Sequence, residues 1–197
     1  MASVLKVDKL DPQSGTALEI GTSGDTITVP SGATFAVSGT ATGNLGITAA
    51  SIWRLTTGFD GDADPITSNL EETDAPTGFG ILGSSMTQSS GVFTFPSTGY
   101  WYISFNLMVY NDTADGRSVI TIKTTHDDST YANASNANVW AASGGLNNAM
   151  CDYIFDVTST STHKCSFQVD ATNASNGCLG GTGLNYTSMT FIRLGDT

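Results

Sequence analysis

The acidic run DGDADPITSNLE, residues 60 to 71, holds the side chains best spaced for chemistry: Asp60, Asp62 and Asp64 alternate, and Ser68 and Glu71 follow. Oxygen donors at positions 1, 3, 5, 9 and 12 of a loop are the ligand pattern of a calcium-binding EF-hand. Position 6 of that loop makes a sharp turn that takes Gly, and here it is Pro65. With the EF-hand excluded, two readings stay open. Asp60, Asp62, Asp64 and Glu71 either gather a calcium ion in a looser cluster or form a solvated acidic loop. No other cofactor is indicated.

Constellations for catalysis are scarce. His126 and His163 fall at a strand end and in a hairpin turn, with no GxSxG, HExxH or paired-carboxylate motif beside either, and read as solvated turn residues. Cys151, Cys165 and Cys178 make neither an even disulfide set nor a CxxC pair, so they read as reduced, buried thiols. The chain is accordingly not expected to be an enzyme. A depolymerase of host polysaccharide is the enzymatic alternative, and it needs two carboxylates flanking a sugar groove. Binding suits the loops better, because a rigid scaffold presents its connections at its ends. The stretches NDTADG (111 to 116), THDDSTYANASNANVW (125 to 140), AASGGLNN (141 to 148) and TNASNGCLGGTG (172 to 183) are rich in Asn, Asp and Ser. Within them Tyr131, Trp140 and Asn173 suit stacking on sugar faces and bonding to sugar hydroxyls.

Charge narrows the partners. Lys and Arg number 7 against 18 Asp and Glu, a formal charge of -11, and a chain so acidic lacks the basic patch that nucleic acid requires. No stretch approaches the roughly 18 apolar residues of a membrane span, and MASVLKVDKL lacks the apolar centre of a signal peptide. Synthesis in a cytoplasm, without membrane insertion, is the expectation.

The elements that must carry these loops are strands. Segments 52–57, 78–88, 91–96, 100–111, 117–125, 149–158, 163–171 and 186–195 are predicted as strands, and several alternate with a period of two. Trp101, Ile103, Phe105, Leu107 and Val109 share one face, as do Cys151, Tyr153, Phe155 and Val157, with Asp152 and Asp156 opposite. Alternation of this kind means antiparallel sheets with one buried face. Many short strands without a helix-length segment of 3.6 period indicate an all-β sandwich or jelly roll over residues 51–197.

Residues 1–50 are built differently. Phe35 is their only aromatic, and every other Phe, Tyr and Trp lies beyond them. Apolar pairs recur at Leu5/Val7, Leu18/Ile20, Ile27/Val29, Phe35/Val37 and Leu45/Ile47, separated by the turn formers GTSGD, PSG and SGTATGN. Each pair puts two side chains on one face of a strand about three residues long. So short a strand cannot offset an ordering entropy of roughly 1–2 kcal/mol per residue. Either the segment is a disordered tail, or three copies wind together and Ile27, Val29, Phe35 and Val37 meet their counterparts on a common axis.

SVLKVDKLDPQSGTALEIGTSGDTITVPSGATFAVSGT resembles the repetitive attachment and shaft segments of fibre-like virion appendages of tailed bacteriophages. The resemblance implies a structural protein of the virion, docked through its N-terminus to other virion proteins, with the C-terminus outward. The phrase GVFTFPSTGYWYISFNL, residues 91–107, resembles the complement-head and tumour-necrosis-factor superfamily, in which a short strand ends in Pro, a Gly turn follows, and aromatics alternate. That resemblance implies a jelly roll that trimerises, with Tyr100, Tyr102 and Tyr110 toward the threefold axis and calcium near the trimer apex. Together they imply a homotrimeric short fibre or decoration protein whose head contacts host surface glycans or protein. A trimeric lectin-like adhesin is the alternative.

Overall fold

The computed structural model of the chain describes residues 20–35, 46–111 and 116–197. The chain divides into two compact units, Met1–Thr42 and Gly43–Thr197. In the second unit the described residues form twelve strands and no helix: β1 (Ala50–Leu55), β2 (Phe59–Asp60), β3 (Leu70–Glu72), β4 (Thr87–Ser89), β5 (Val92–Thr94), β6 (Gly99–Asn111), β7 (Gly116–Thr125), β8 (Ala132–Ala141), β9 (Leu146–Val157), β10 (Lys164–Ala171), β11 (Asn176–Cys178) and β12 (Ser188–Gly195).

Alternation explains the long strands. Along β6 every second residue from Gly99 to Asn111 is buried and those between are more open, so a single strand spans the sandwich with one dry and one wet face. β9 runs antiparallel along one edge of β6, from Gly99 opposite Val157 to Tyr110 opposite Leu146. The other edge is shared: β12 takes residues 100–106 and β11 takes residues 109–111. With β1 on β12, β3 on β1 and β2 on β11, this makes a seven-stranded sheet. The second sheet is five-stranded, in the order β4-β5-β10-β7-β8, and all named pairs are antiparallel.

Between the two inner faces lies an aromatic core. The Phe93 ring sits 5.4 Å from Trp53, 5.4 Å from Phe167 and 5.2 Å from Phe191, and such ring pairs contribute about 0.5–1.5 kcal/mol beyond the area they bury. Phe93→Ala should therefore cost about 3–5 kcal/mol of unfolding free energy. The half-buried neighbour Val92, changed to Ala, should cost far less, and urea titration of both variants checks the contrast.

Two expectations need correction. Residues 78–86 do not form a strand: Gly78 at φ 103° and Gly83 at φ 64° turn the chain, and Phe79, Ile81 and Leu82 stay exposed in the loop between. Conversely, β8 occupies residues expected as a loop. Its Asn and Ala side chains carry little apolar signal because β8 is an edge strand whose outer face is wet.

In the first unit, turns at residues 23–24 and 31–32 fall on the predicted turn formers, with Gly24 at φ 95° and Gly32 at φ 85°. They close through Asp25 N–H to the Thr22 carbonyl at 2.9 Å and Ala33 N–H to the Pro30 carbonyl at 3.0 Å. The short strands expected here do not form ladders among residues 20–35 of a single copy, since an extended piece between two tight turns has no neighbour to pair with. Ile27, Val29 and Phe35 are all exposed. Val37 lies outside the described residues.

Candidate interaction faces

The carboxylates of the acidic loop are engaged with strands. Asp60 Oδ1 accepts the Tyr110 hydroxyl at 2.8 Å, Asp62 Oδ1 accepts the Ala171 N–H at 2.7 Å, and Asp64 pairs with Lys123 Nζ at 2.9 Å. Glu71 lies apart, where its Oε1 accepts Arg54 Nε at 2.7 Å. That guanidinium is fully buried and also donates to Asp74 and to the Ala75 carbonyl. Among the described residues no group of three or more His, Cys, Asp or Glu is placed to hold a metal ion. The chain brings Asp60, Asp62 and Asp64 to one loop, but each carboxylate is already committed to a different strand.

The outer face of the seven-stranded sheet is where apolar side chains remain uncovered. Tyr100, Tyr102 and Tyr110 stand on it, opposite the buried Trp101, Ile103 and Phe105. Tyr102 donates its hydroxyl to Asp152 Oδ1 at 2.7 Å, and this bond, with burial second, raises its pKa above the ordinary tyrosine value. In register across four strands lie Ile154, Tyr102, Ile192 and Ala50. A cleft of about 310 Å3, lined by Ala50, Ile52, Ile81, Leu82 and Ile192, continues this row past the edge of the sheet. Leu146, Met150 and Ile154 lie along β9 with exposures of 63, 58 and 57 %. Asn148 and Asp152 alternate with them on the same face, so the exposed apolar side chains stand in a partly polar frame.

His163 is not the solvated turn residue expected. It is buried, its ring stacks on Phe155 at 5.6 Å, and its Nε2 lies 3.0 Å from His126 Nδ1. The sequence conceals this pair because the two residues are far apart in the chain; the register that sets Lys164 opposite Thr125 brings their neighbours together. A neutral His163 that accepts at Nε2 and donates Nδ1–H toward Thr162 Oγ1 at 3.1 Å satisfies these contacts. Burial, and next the His126 ring, push the His163 pKa below its ordinary value, while Asp156 opposes them. The folded chain thus resists a proton that the unfolded chain accepts near pH 6.5. Stability from this site is complete above that pH and falls as the pH drops toward the folded pKa. The wild-type melting temperature should therefore fall more steeply from pH 7 to pH 5 than that of His163→Gln; equal slopes would place the acid sensitivity elsewhere.

The three thiols are free and buried, as expected. Burial raises all three, Cys151 to about 11 and Cys178 to about 12. Of the residues expected to bind at the surface, Trp140 is exposed near the end of β8, and Asn173 lies in the loop after β10 at the same end of the sheet. The Asn173 carboxamide oxygen accepts the Ser175 N–H at 3.0 Å and so shapes its own loop. Tyr131 stands half-buried at the opposite end of β8, its pKa raised first by burial and then by Asp128.

Two antiparallel sheets with this strand order define a jelly roll of the tumour-necrosis-factor type. No protein-family model and no curated protein matches the sequence. Among solved structures, murine APRIL crystallised at pH 8.5 is similar, with a TM-score of 0.51 at 9 % identity over 74 % of this chain and 98 % of that chain. Murine APRIL at pH 5.0 gives 0.49 at 10 % identity over the same shares. At such identity the likeness is one of fold, and that fold is the one implied by the resemblance of residues 91–107 to the complement-head and tumour-necrosis-factor superfamily. Among the described residues no helix is long and apolar enough to cross a membrane.

Proposed function

We propose that the chain is a homotrimeric structural appendage of a tailed-phage virion, a short fibre or decoration protein. Residues 1 to about 50 dock to other virion proteins, and the jelly roll projects toward the host surface. The observation that carries the trimer is the row of the exposed Ile154 and the half-buried Tyr102 and Ile192 with the adjoining cleft, because one copy leaves it partly open to water and further copies of like shape can cover it. Tyr100, Tyr102 and Tyr110 then lie between copies, as the superfamily resemblance implies. Support for the virion setting comes from the repetitive phrases of residues 3–40 and from the exposed Ile27, Val29 and Phe35, which gain a core only when copies adjoin.

Light scattering at micromolar concentration tests the assembly, and a mass near three times 20.4 kDa is expected. Detection of the protein in purified particles tests the setting. A trimer absent from particles leaves the reading as a lectin-like adhesin, and a monomer removes both.

A further inference from the structure

Arg117 and Trp140 are directly opposite each other in the β7–β8 ladder. Their flanking residues Ser118, Val139 and Ala141 are buried, so both side chains point outward from the five-stranded sheet. Directly opposed side chains on one face of a sheet stand about 5 Å apart at Cβ. Trp140 is 58 % exposed, an open indole among polar neighbours and Val119. Arg117 is unusual in a second way. Arg54, Lys123, Lys164 and Arg193 all donate to partners within the chain, whereas Arg117 is, among the described residues, the cation whose side chain donates to none.

One rung further, Asn138 faces Val119 and Val119 faces Asp170, which extends the same outer face across three strands. Both Asn138 and Asp170 are exposed, and neither engages its side chain within the chain. Thus an aromatic face, a free guanidinium and a free carboxamide adjoin on the sheet, with a free carboxylate beyond the half-buried Val119.

We infer that this patch binds an acidic saccharide, with a sugar ring stacked on Trp140, its carboxylate held by Arg117, and its hydroxyls bonded to Asn138 and Asp170. The chemistry favours a sugar over other anions. A guanidinium takes a carboxylate in two parallel charge-assisted bonds. Asp170 disfavours a ligand whose charge is dense along its length, such as an acidic peptide or a phosphate chain, and is a strong acceptor for hydroxyl groups, which a sugar ring supplies at several adjacent positions. The inference names the chemistry of the host contact proposed above and rests on that reading for its biological setting. The binding itself needs neither a particle nor a trimer.

The test uses the full chain and the emission of Trp140, since Trp101 is buried and Trp53 largely so. Oligogalacturonate, its methyl ester and oligosialic acid are the probes, with polyglutamate as the peptide anion. At least one acidic sugar should shift the emission, and the neutral ester should bind about tenfold or more weakly. Arg117→Gln should cost a similar factor and erase the preference for the acid over the ester. Trp140→Phe should keep part of the affinity while losing the signal, as read by calorimetry. The inference is overturned if no acidic sugar binds at 10 mM, roughly the weakest range in which a specific site is useful, if acid and ester bind alike, or if polyglutamate binds with the same dependence on Arg117. It is also overturned if Trp140→Ala changes the mass in light scattering, because the patch is then a contact between copies. Sugar binding by a protein that proves monomeric or absent from particles defeats the proposed function and leaves this site standing.

Discussion

Changing Ile154 and Ile192 together to Lys should reduce the mass in light scattering from three times 20.4 kDa to 20.4 kDa, with the β-sheet circular dichroism unchanged. The two side chains lie in one row across the sheet, on either side of Tyr102, on its outer face. The exposed Ile154 contributes about 1.5–3 kcal/mol when it passes from water to a covered site, and the half-buried Ile192 contributes less. Losing two per copy weakens association by about a hundredfold or more, at 1.4 kcal/mol per factor of ten. Within a single copy the exchange at the exposed Ile154 is mild, since such a substitution away from caps and networks usually stays within about 0.5 kcal/mol, while that at the half-buried Ile192 costs more and is read by the circular dichroism. Lys is the better choice over Asp, because Asp152 and Asp156 flank Ile154 on the same face and would repel another carboxylate. Gln168→Lys, on the outer face of the five-stranded sheet, should leave the mass unchanged and serves as the control. A double variant that keeps the trimer mass would move the contact between copies to another surface.

The residues of that face could be read from the sequence because strand alternation fixes sides. Once Trp101, Ile103 and Phe105 are inside, Tyr100 and Tyr102 must be outside, and the same holds for Ile154 opposite the buried Phe155. Alternation cannot say which strands adjoin. That Ile192 stands beside Tyr102, that His163 meets His126, and that Arg117 faces Trp140 are all consequences of pairing register. The last depends on a register shift between Ile122 and Lys123 that no propensity announces. Apolar content misleads in the other direction at Phe79, Ile81 and Leu82, which read as strand core but occupy a loop beside the cleft. The acidic loop shows a related limit. Spacing brings Asp60, Asp62 and Asp64 close along the chain, while Tyr110, Ala171 and Lys123 on three different strands decide that their carboxylates part.

Separation of the two units has the largest expected consequence for attachment. A chain beginning at Gly43 should unfold cooperatively and assemble as the full chain does, yet fail to join particles. The second unit contains the aromatic core of the described residues, so a chain that keeps this unit keeps that core. The starting point matters. Ala49 is buried, its carbonyl accepts the Arg193 N–H at 2.9 Å, and Arg193 Nη1 donates to Thr48 Oγ1 at 3.2 Å, so a cut at Ser51 would strip the edge of β12 of partners it uses. The first unit, by contrast, shows only turns and exposed apolar side chains over residues 20–35, and what it lacks must come from neighbours. Full-length protein with Ile27, Val29, Phe35 and Val37 changed to Ser should therefore keep the melting temperature of the head, while limited proteolysis cuts its first 42 residues much faster than in the wild type. If the chain beginning at Gly43 attaches to particles as well as the intact protein does, docking through the N-terminus is wrong, and the contact with the virion must lie on the jelly roll, where the face of Ile154 and Ile192 becomes the first surface to test.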